Sequence, residues 1–120
     1  MPELKESGIA RLATVTGVDM KTAASTTLFT GPVGKTTYVT HVVIREPSAS
    51  LAGGTSYSFT GWRQTVDLSS MTTLGTDYMV LDSNNTKYTD LAAGAAFQIT
   101  VTTGSTAACT ATIDVFGFVA

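Results

Sequence analysis

Hydrophobic and polar residues alternate through the C-terminal part of the chain. Phe97, Ile99 and Val101 share one parity, and Gln98, Thr100 and Thr102 share the other. After a Gly-containing turn the alternation resumes, with Cys109, Ala111, Ile113 and Val115 on the apolar parity. Because successive side chains of a strand point to opposite faces, each run has one apolar face. The pattern predicts two strands joined as a β-hairpin, with their apolar faces covered by a second sheet.

The alternation breaks at the end of the second run, where Phe116 and Phe118 fall on the hydroxyl-rich face. Two phenylalanines on an outer face are a liability unless protein covers them, from this chain or from another copy. We therefore predict an intermolecular interface that contains Phe116, Phe118 and Val119. We also predict that Leu4, near the start of the chain, contributes to this interface.

Further strands are predicted where β-branched or alternating residues lie between turn residues. They are Ile9 to Thr16, Thr26 to Thr30, Thr36 to Arg45, Thr55 to Thr60 and Tyr78 to Leu81, and Lys87 to Leu91 is a connection that leads back to the C-terminal runs. The strand with Val42, Val43 and Ile44 is apolar on both faces, which favours a central position. No stretch has a convincing helical period. The sequence predicts an all-β protein, an antiparallel β-sandwich of about eight strands with a jelly-roll-like arrangement.

The chain length of 120 residues suits one domain with one core. We assign residues 9–120 to that domain and residues 1–8 to a polar N-terminal arm outside the core. Residues 62–77 are the least regular part, a long Ser/Thr-rich connection. Its predicted anchors in the core are Val66, Leu68, Met71 and Leu74.

The composition describes a folded chain with little electrostatic character. It is 43% hydrophobic with a net charge of −2, and charged residues are only 13%, against a usual figure of about 25%. Threonine occupies 23 positions. The seven basic residues form no cluster, so nucleic-acid binding is not expected. The first residues lack the apolar core of a signal peptide, and we expect synthesis and folding in a cytoplasm.

Two motifs resemble ligand-binding loops but lack residues that those loops require. Gly31 to Thr36 echoes the end of a phosphate-binding loop, but Phe29 replaces the required first glycine and a strand follows where that motif opens a helix. Asp82 to Asn85 resembles part of a calcium loop, without the glycine and glutamate that such a loop needs. Ordinary turn chemistry accounts for both stretches.

No residue pattern proposes an enzyme, a cofactor or a metal site. Cys109 is the only cysteine and lies on the apolar parity, so it is interpreted as a small buried thiol. His41 is the only histidine, which leaves it without a second histidine for metal binding, and it is interpreted as a packed or surface residue. The nine acidic residues are scattered beside turns. We therefore predict no catalytic, cofactor-binding or metal-binding residues.

Four segments together resemble small β-sandwich structural proteins of tailed bacteriophages. They are GVDMKT (17–22), TTLFTGPVGKTTYVTHVVIRE (26–46), TDLAAGAAFQITVTTG (89–104) and TATIDVFGFV (110–119), and the similarity covers roughly Thr14 to Ala120. The resemblance implies a virion component, most commonly a capsid-decorating protein. It implies a homo-oligomer, with a trimer favoured, bound to the major capsid protein or another virion protein. The resemblance carries no catalytic residues.

Two other functions remain open at this stage. A head-fibre or tail-associated adhesion module would stack host-surface glycans on Trp62, Tyr57 or Tyr88. A secreted carbohydrate-binding module would also need an exposed aromatic platform, and the missing signal peptide and lone cysteine argue against it. Packing in the core or in an interface is the simpler role for these three aromatic residues.

Overall fold

All the regular structure is β in the computed structural model, which describes residues 9–62, 65–72, 78–82 and 89–120. The strands are β1 (Ala10–Asp19), β2 (Ser25–Thr30), β3 (Thr37–Arg45), β4 (Ser56–Phe59), β5 (Tyr78–Asp82), β6 (Thr89–Leu91), β7 (Ala96–Thr103) and β8 (Thr110–Val119). No helix occurs among the described residues, and the predicted all-β class is confirmed. The predicted arm, residues 1–8, lies outside the described residues.

β1 is longer and less regular than its sequence suggests. It continues past the predicted end at Thr16, and its register against β8 shifts between Arg11 and Ala13 and between Val15 and Val18. Gly17 adopts a left-handed conformation (φ 68°) inside the second shift. Each bulge adds a residue on one strand and reverses the alternation, which explains why the apolar pattern of β1 is weak.

The strands form two antiparallel sheets. The first has the order β1-β8-β3-β5, and the short β6 also pairs with β3. β5 pairs with residues 41–44 of β3 and β6 with residues 37–39, on the edge of β3 opposite β8. The second sheet has the order β2-β7-β4. β3 is therefore central in its sheet, as its two apolar faces predict.

The predicted hairpin between β7 and β8 is wrong. β7 lies between β2 and β4 in the second sheet, whereas β8 lies between β1 and β3 in the first. The connection at residues 104–109 crosses between the sheets and bonds to other loops, with Ser105 N donating to Met20 O and Thr106 N donating to Ala52 O. Alternation determines which face of a strand is apolar, but it does not select the neighbouring strand.

Both sheets contribute to one buried cluster, so the described residues form a single domain. The predicted inward parity of β7 and β8 is confirmed, since every residue assigned to it is buried. Of the anchors predicted in the irregular stretch, Leu68 and Met71 are buried and Val66 packs against the cluster; Leu74 lies outside the described residues. The largest fully buried side chains are Tyr57, Phe97, Met20, Ile44, Leu51, Leu68, Ile99, Ile113, Val39, Val42, Val115 and Thr37.

Candidate functional site

Four rings form a strip on the outer face of the first sheet, where β8 and β3 run side by side. Phe116 lies opposite His41 and Phe118 lies opposite Tyr38. The Phe116 and His41 rings stack with centroids 4.6 Å apart and an interplanar angle of 7°. The Phe118 and Tyr38 rings stack at 4.9 Å and 21°. We call these four residues the aromatic strip.

The burial of the aromatic strip is intermediate between that of the core and that of an exposed surface. All four residues are half-buried, while Val39, Val42 and Val115, on the other face of the same strands, are fully buried. Cross-strand aromatic pairs stabilise a sheet, and each ring shields the face of its partner. The four half-buried rings place aromatic side chains on the face that a sheet normally gives to polar ones.

A polar cluster lies beside the strip on the same face. The buried carboxylate of Asp114 accepts a hydrogen bond from Arg45 Nε at 2.8 Å and another from the Thr14 hydroxyl at 2.7 Å. Burial raises the pKa of Asp114, but the hydrogen bonds from Arg45 and Thr14 and the positive charge of Arg45 outweigh it, so the pKa lies below its ordinary value. Arg45 also contacts Glu46, its neighbour in sequence, at 3.4 Å. The cluster pairs its charges internally and fixes β1, β8 and β3 to one another.

The contacts of His41 are those of a packed side chain. Its Nδ1 lies 3.0 Å from the Thr40 hydroxyl, and partial burial lowers its pKa. One face of its ring is covered by Phe116. Within the described residues, no group of three or more His, Cys, Asp or Glu side chains is placed to hold a metal ion.

The structure places only part of the predicted interface on one surface. Phe116 and Phe118 both belong to the aromatic strip. Val119 follows Phe118 in an extended strand and pairs with Thr37, so its side chain lies on the opposite face. Val119 is therefore not part of the strip. Leu4 lies outside the described residues.

Tyr57 is not available for stacking on a sugar, which corrects its place in the predicted glycan site. It is fully buried in β4, and its hydroxyl donates to Met20 O at 2.9 Å. Burial and the neighbouring Cys109 raise the pKa of Tyr57 to about 12. Phe59, two residues further along the same strand, is buried on the same side.

Trp62 packs inward from the end of β4. Its ring lies 4.8 Å from that of Phe59 and 6.2 Å from that of Phe97, measured between centroids. The side chain is half-buried, and its Nε1 has no hydrogen-bond partner among the described residues. Tyr88, the third residue of the predicted glycan site, lies outside the described residues. Trp62 and Tyr57 thus do not form a shared exposed platform.

Two exposed apolar side chains lie at one end of the molecule, which we call the loop end. It consists of Ile9, residues 31–36, residues 92–95 and Ala120. Thr36 and Ala120 exchange both main-chain hydrogen bonds, at 3.0 and 2.9 Å, and close this end of the first sheet. Ile9 is 54% exposed and Val33, at the tip of the β2–β3 loop, is 90% exposed. Neither residue stands out in the sequence, although Val33 lies between turn residues, where exposure is normal.

Comparisons of the chain with protein-family models, with curated proteins and with solved structures give no match. Across the described residues, the structure has no helix long and apolar enough to cross a membrane.

Proposed function

We propose that this chain is a non-enzymatic structural protein of a bacteriophage virion. In this proposal it is a decoration or cement protein that binds the outer surface of the capsid as a homo-oligomer and stabilises the shell. A trimer is favoured, and the other partner is the major capsid protein. The virion is then its site of action.

The finer fold proposed here is an eight-stranded jelly-roll sandwich, an architecture found in viral capsid proteins. The pairs β1–β8, β2–β7 and β3–β6 are those of one long antiparallel hairpin rolled up so that successive rungs alternate between the two sheets. The fourth rung is represented by the bridge between Tyr57 and Val66, whose main chains exchange hydrogen bonds of 3.1 and 2.7 Å. In this scheme β5 and β6 are two parts of one strand, and the Val66 segment supplies the eighth strand.

The observation that carries the oligomer proposal is the aromatic strip. Its rings are only half-buried, and a second copy of the chain that covered them would remove the exposed aromatic area from water. The polar cluster beside them pairs its own charges, so a partner could cover this face without leaving a carboxylate unpaired. An interface with an apolar centre and hydrogen-bonded polar groups at its edge is the usual design. A trimer requires a head-to-tail contact, in which the strip of one copy meets a different surface of the next and the rotation closes the ring.

The oligomer is tested by sedimentation velocity over a concentration series. We expect a discrete oligomer for the wild type and a shift towards monomer for Phe118→Ser. Val33→Ser is the matched control, because it removes an exposed apolar side chain away from the strip. Thermal melting of each variant separates loss of the fold from loss of association. A monomeric wild type, or an equal effect of both substitutions, would contradict an interface at the strip.

The cement role is tested on particles stripped of the protein. Adding back the wild-type chain should raise the temperature at which the genome is released, and Phe118→Ser should raise it less. Because burial dominates the proposed contact, rebinding should depend weakly on salt. If stripped particles keep their heat stability but no longer attach to cells, the cement role is wrong and the adhesion alternative replaces it.

A further inference from the structure

The hydroxyl of Thr37 is an unpartnered polar group inside the molecule. Thr37 begins β3 and is fully buried, and its Oγ1 has no hydrogen-bond partner among the described residues. Buried hydroxyls are normally hydrogen-bonded, because burial removes the water that would otherwise bind them. We therefore expect the Thr37 hydroxyl to have a hydrogen-bond partner other than the described protein atoms.

Gly31 lies next to the Thr37 hydroxyl. A Cβ built on Gly31 would meet Thr37 Oγ1 at 3.1 Å, Ala92 O at 3.5 Å and Ala95 O at 3.6 Å. The three nearest atoms around this side-chain-free position are therefore all oxygens. We call Thr37 Oγ1, Ala92 O and Ala95 O the oxygen triad.

The hydrogen-bonding capacity of the triad matches a single water molecule. Ala95 O already accepts from Gly31 N, and Ala92 O accepts from Ala95 N, which leaves one lone pair on each carbonyl. A water donates two hydrogens and accepts from the Thr37 hydroxyl, so all three oxygens are satisfied at once. Internal waters typically make about three such bonds to otherwise unpaired groups.

We propose that the oxygen triad binds one internal water molecule that joins the two sheets at the loop end. Thr37 opens β3 and Ala92 follows β6 in the first sheet, whereas Gly31 follows β2 and Ala95 precedes β7 in the second. The water links these four chain segments at the base of the loop that carries Val33. This inference does not depend on the proposed virion function.

A metal cation fits the triad less well than water. Two carbonyls and a hydroxyl are hard oxygen ligands, but a cation would leave the Thr37 hydroxyl hydrogen without an acceptor. The triad itself contains no carboxylate to balance the charge. Water satisfies the donor as well as the two acceptors.

The test uses the full chain and three variants. Thr37→Ser keeps the hydroxyl, Thr37→Val removes it with little change of shape, and Gly31→Ala fills the position that faces the triad. Magnetic relaxation dispersion of the solvent oxygen-17 counts the water molecules that stay in the protein for longer than its rotational tumbling time. It observes the oxygen of water, so the exchanging hydrogen of the Thr37 hydroxyl does not contribute.

We expect equal dispersion amplitudes in the wild type and in Thr37→Ser, and an amplitude lower by the contribution of one water in Thr37→Val and Gly31→Ala. Thr37→Val should also melt below the wild type, because it removes one of the three bonds of the water. An equal amplitude in the wild type and Thr37→Val would overturn the proposal, and so would a Thr37→Val variant that melts at or above the wild type. A wild-type melting temperature that rises when sodium replaces choline, with no such rise in Thr37→Val, would overturn it in favour of a cation.

Discussion

Neutralising Asp114 should destabilise the protein in a pH-dependent way. Its carboxylate is buried and accepts hydrogen bonds from Arg45 and Thr14 at 2.8 and 2.7 Å. Asp114→Asn keeps the shape of the side chain but removes the charge: its amide oxygen can still accept from Arg45 Nε, and its N–H can donate to the Thr14 hydroxyl, which also accepts. The substitution therefore turns a charged hydrogen bond into a neutral one and leaves the Arg45 cation without its carboxylate, on the face that joins β1, β8 and β3.

The expected loss is about 2–3 kcal/mol at neutral pH. A hydrogen bond to a charged group contributes about 1.5–3 kcal/mol, and breaking a fully buried ion pair costs about 3–5 kcal/mol. The lower range applies because the Arg45 side chain is 29% exposed and can turn towards water. Asp90→Asn is the matched control: Asp90 is exposed, and its neutralisation should change stability by less than about 0.5 kcal/mol.

The sign of the pH dependence follows from the lowered pKa of Asp114. A carboxyl whose folded-state pKa is depressed stabilises the protein above its unfolded-state pKa, near 3.9 for aspartate, and loses that contribution as pH falls through the folded-state value. The stability difference between wild type and Asp114→Asn should thus be full at pH 7 and shrink in the acid range below about pH 4. Asp19 and Asp67, whose pKa values are also lowered, occur in both proteins and cancel in the difference.

Urea melts of the wild type and both variants from neutral to acid pH provide the measurement. If the stability difference between wild type and Asp114→Asn stays constant down to the lowest pH at which the protein folds, the Asp114 charge does not stabilise the fold. A loss at neutral pH no larger than that of Asp90→Asn would likewise show that the carboxylate makes no net contribution.

Three substitutions test the packing. Ile113→Ala should cost about 2–5 kcal/mol in urea melts because Ile113 is fully buried; exposed Thr110→Ala on the same strand is the control, and equal losses would refute the assigned parity. Gly117→Ala should lower the melting temperature because its Cβ would collide with the Tyr38 carbonyl across the β3–β8 ladder; unchanged melting would show that the strands can separate. Tyr57→Phe should cost about 1 kcal/mol by removing a buried hydrogen-bond donor, and no loss would mean that water replaces it.

The class of fold and much of the core follow from the alternation of residues along the chain. Strand periodicity is a local property, since the side-chain direction of a strand repeats every two residues whatever lies beside it. Ile99 and Ile113 could therefore be assigned to the interior from alternation alone, and both are fully buried. The same parity placed Phe116 and Phe118 on an outer face, where the structure has them.

Strand pairing does not follow from local alternation. β7 and β8 have the alternation and the turn of a hairpin, yet they belong to different sheets. Their apolar faces can be buried equally well whether the two strands lie in one sheet or in two facing sheets. The local pattern therefore does not distinguish a hairpin from a crossing between sheets. The loops that receive residues 104–109 are distant in sequence, and no local signal identifies them.

Which four residues form the aromatic strip could also not be predicted from the alternation along one strand. Tyr38 and His41 are three residues apart and should lie on opposite faces of a regular strand. The register of β3 against β8 shifts between Val39 and His41, and this irregularity brings both rings onto one face, opposite Phe118 and Phe116. A bulge depends on both strands of a pair, so the sequence of one strand could not reveal it. The sequence thus identified two rings of the strip, and the pairing of β3 with β8 supplied the other two.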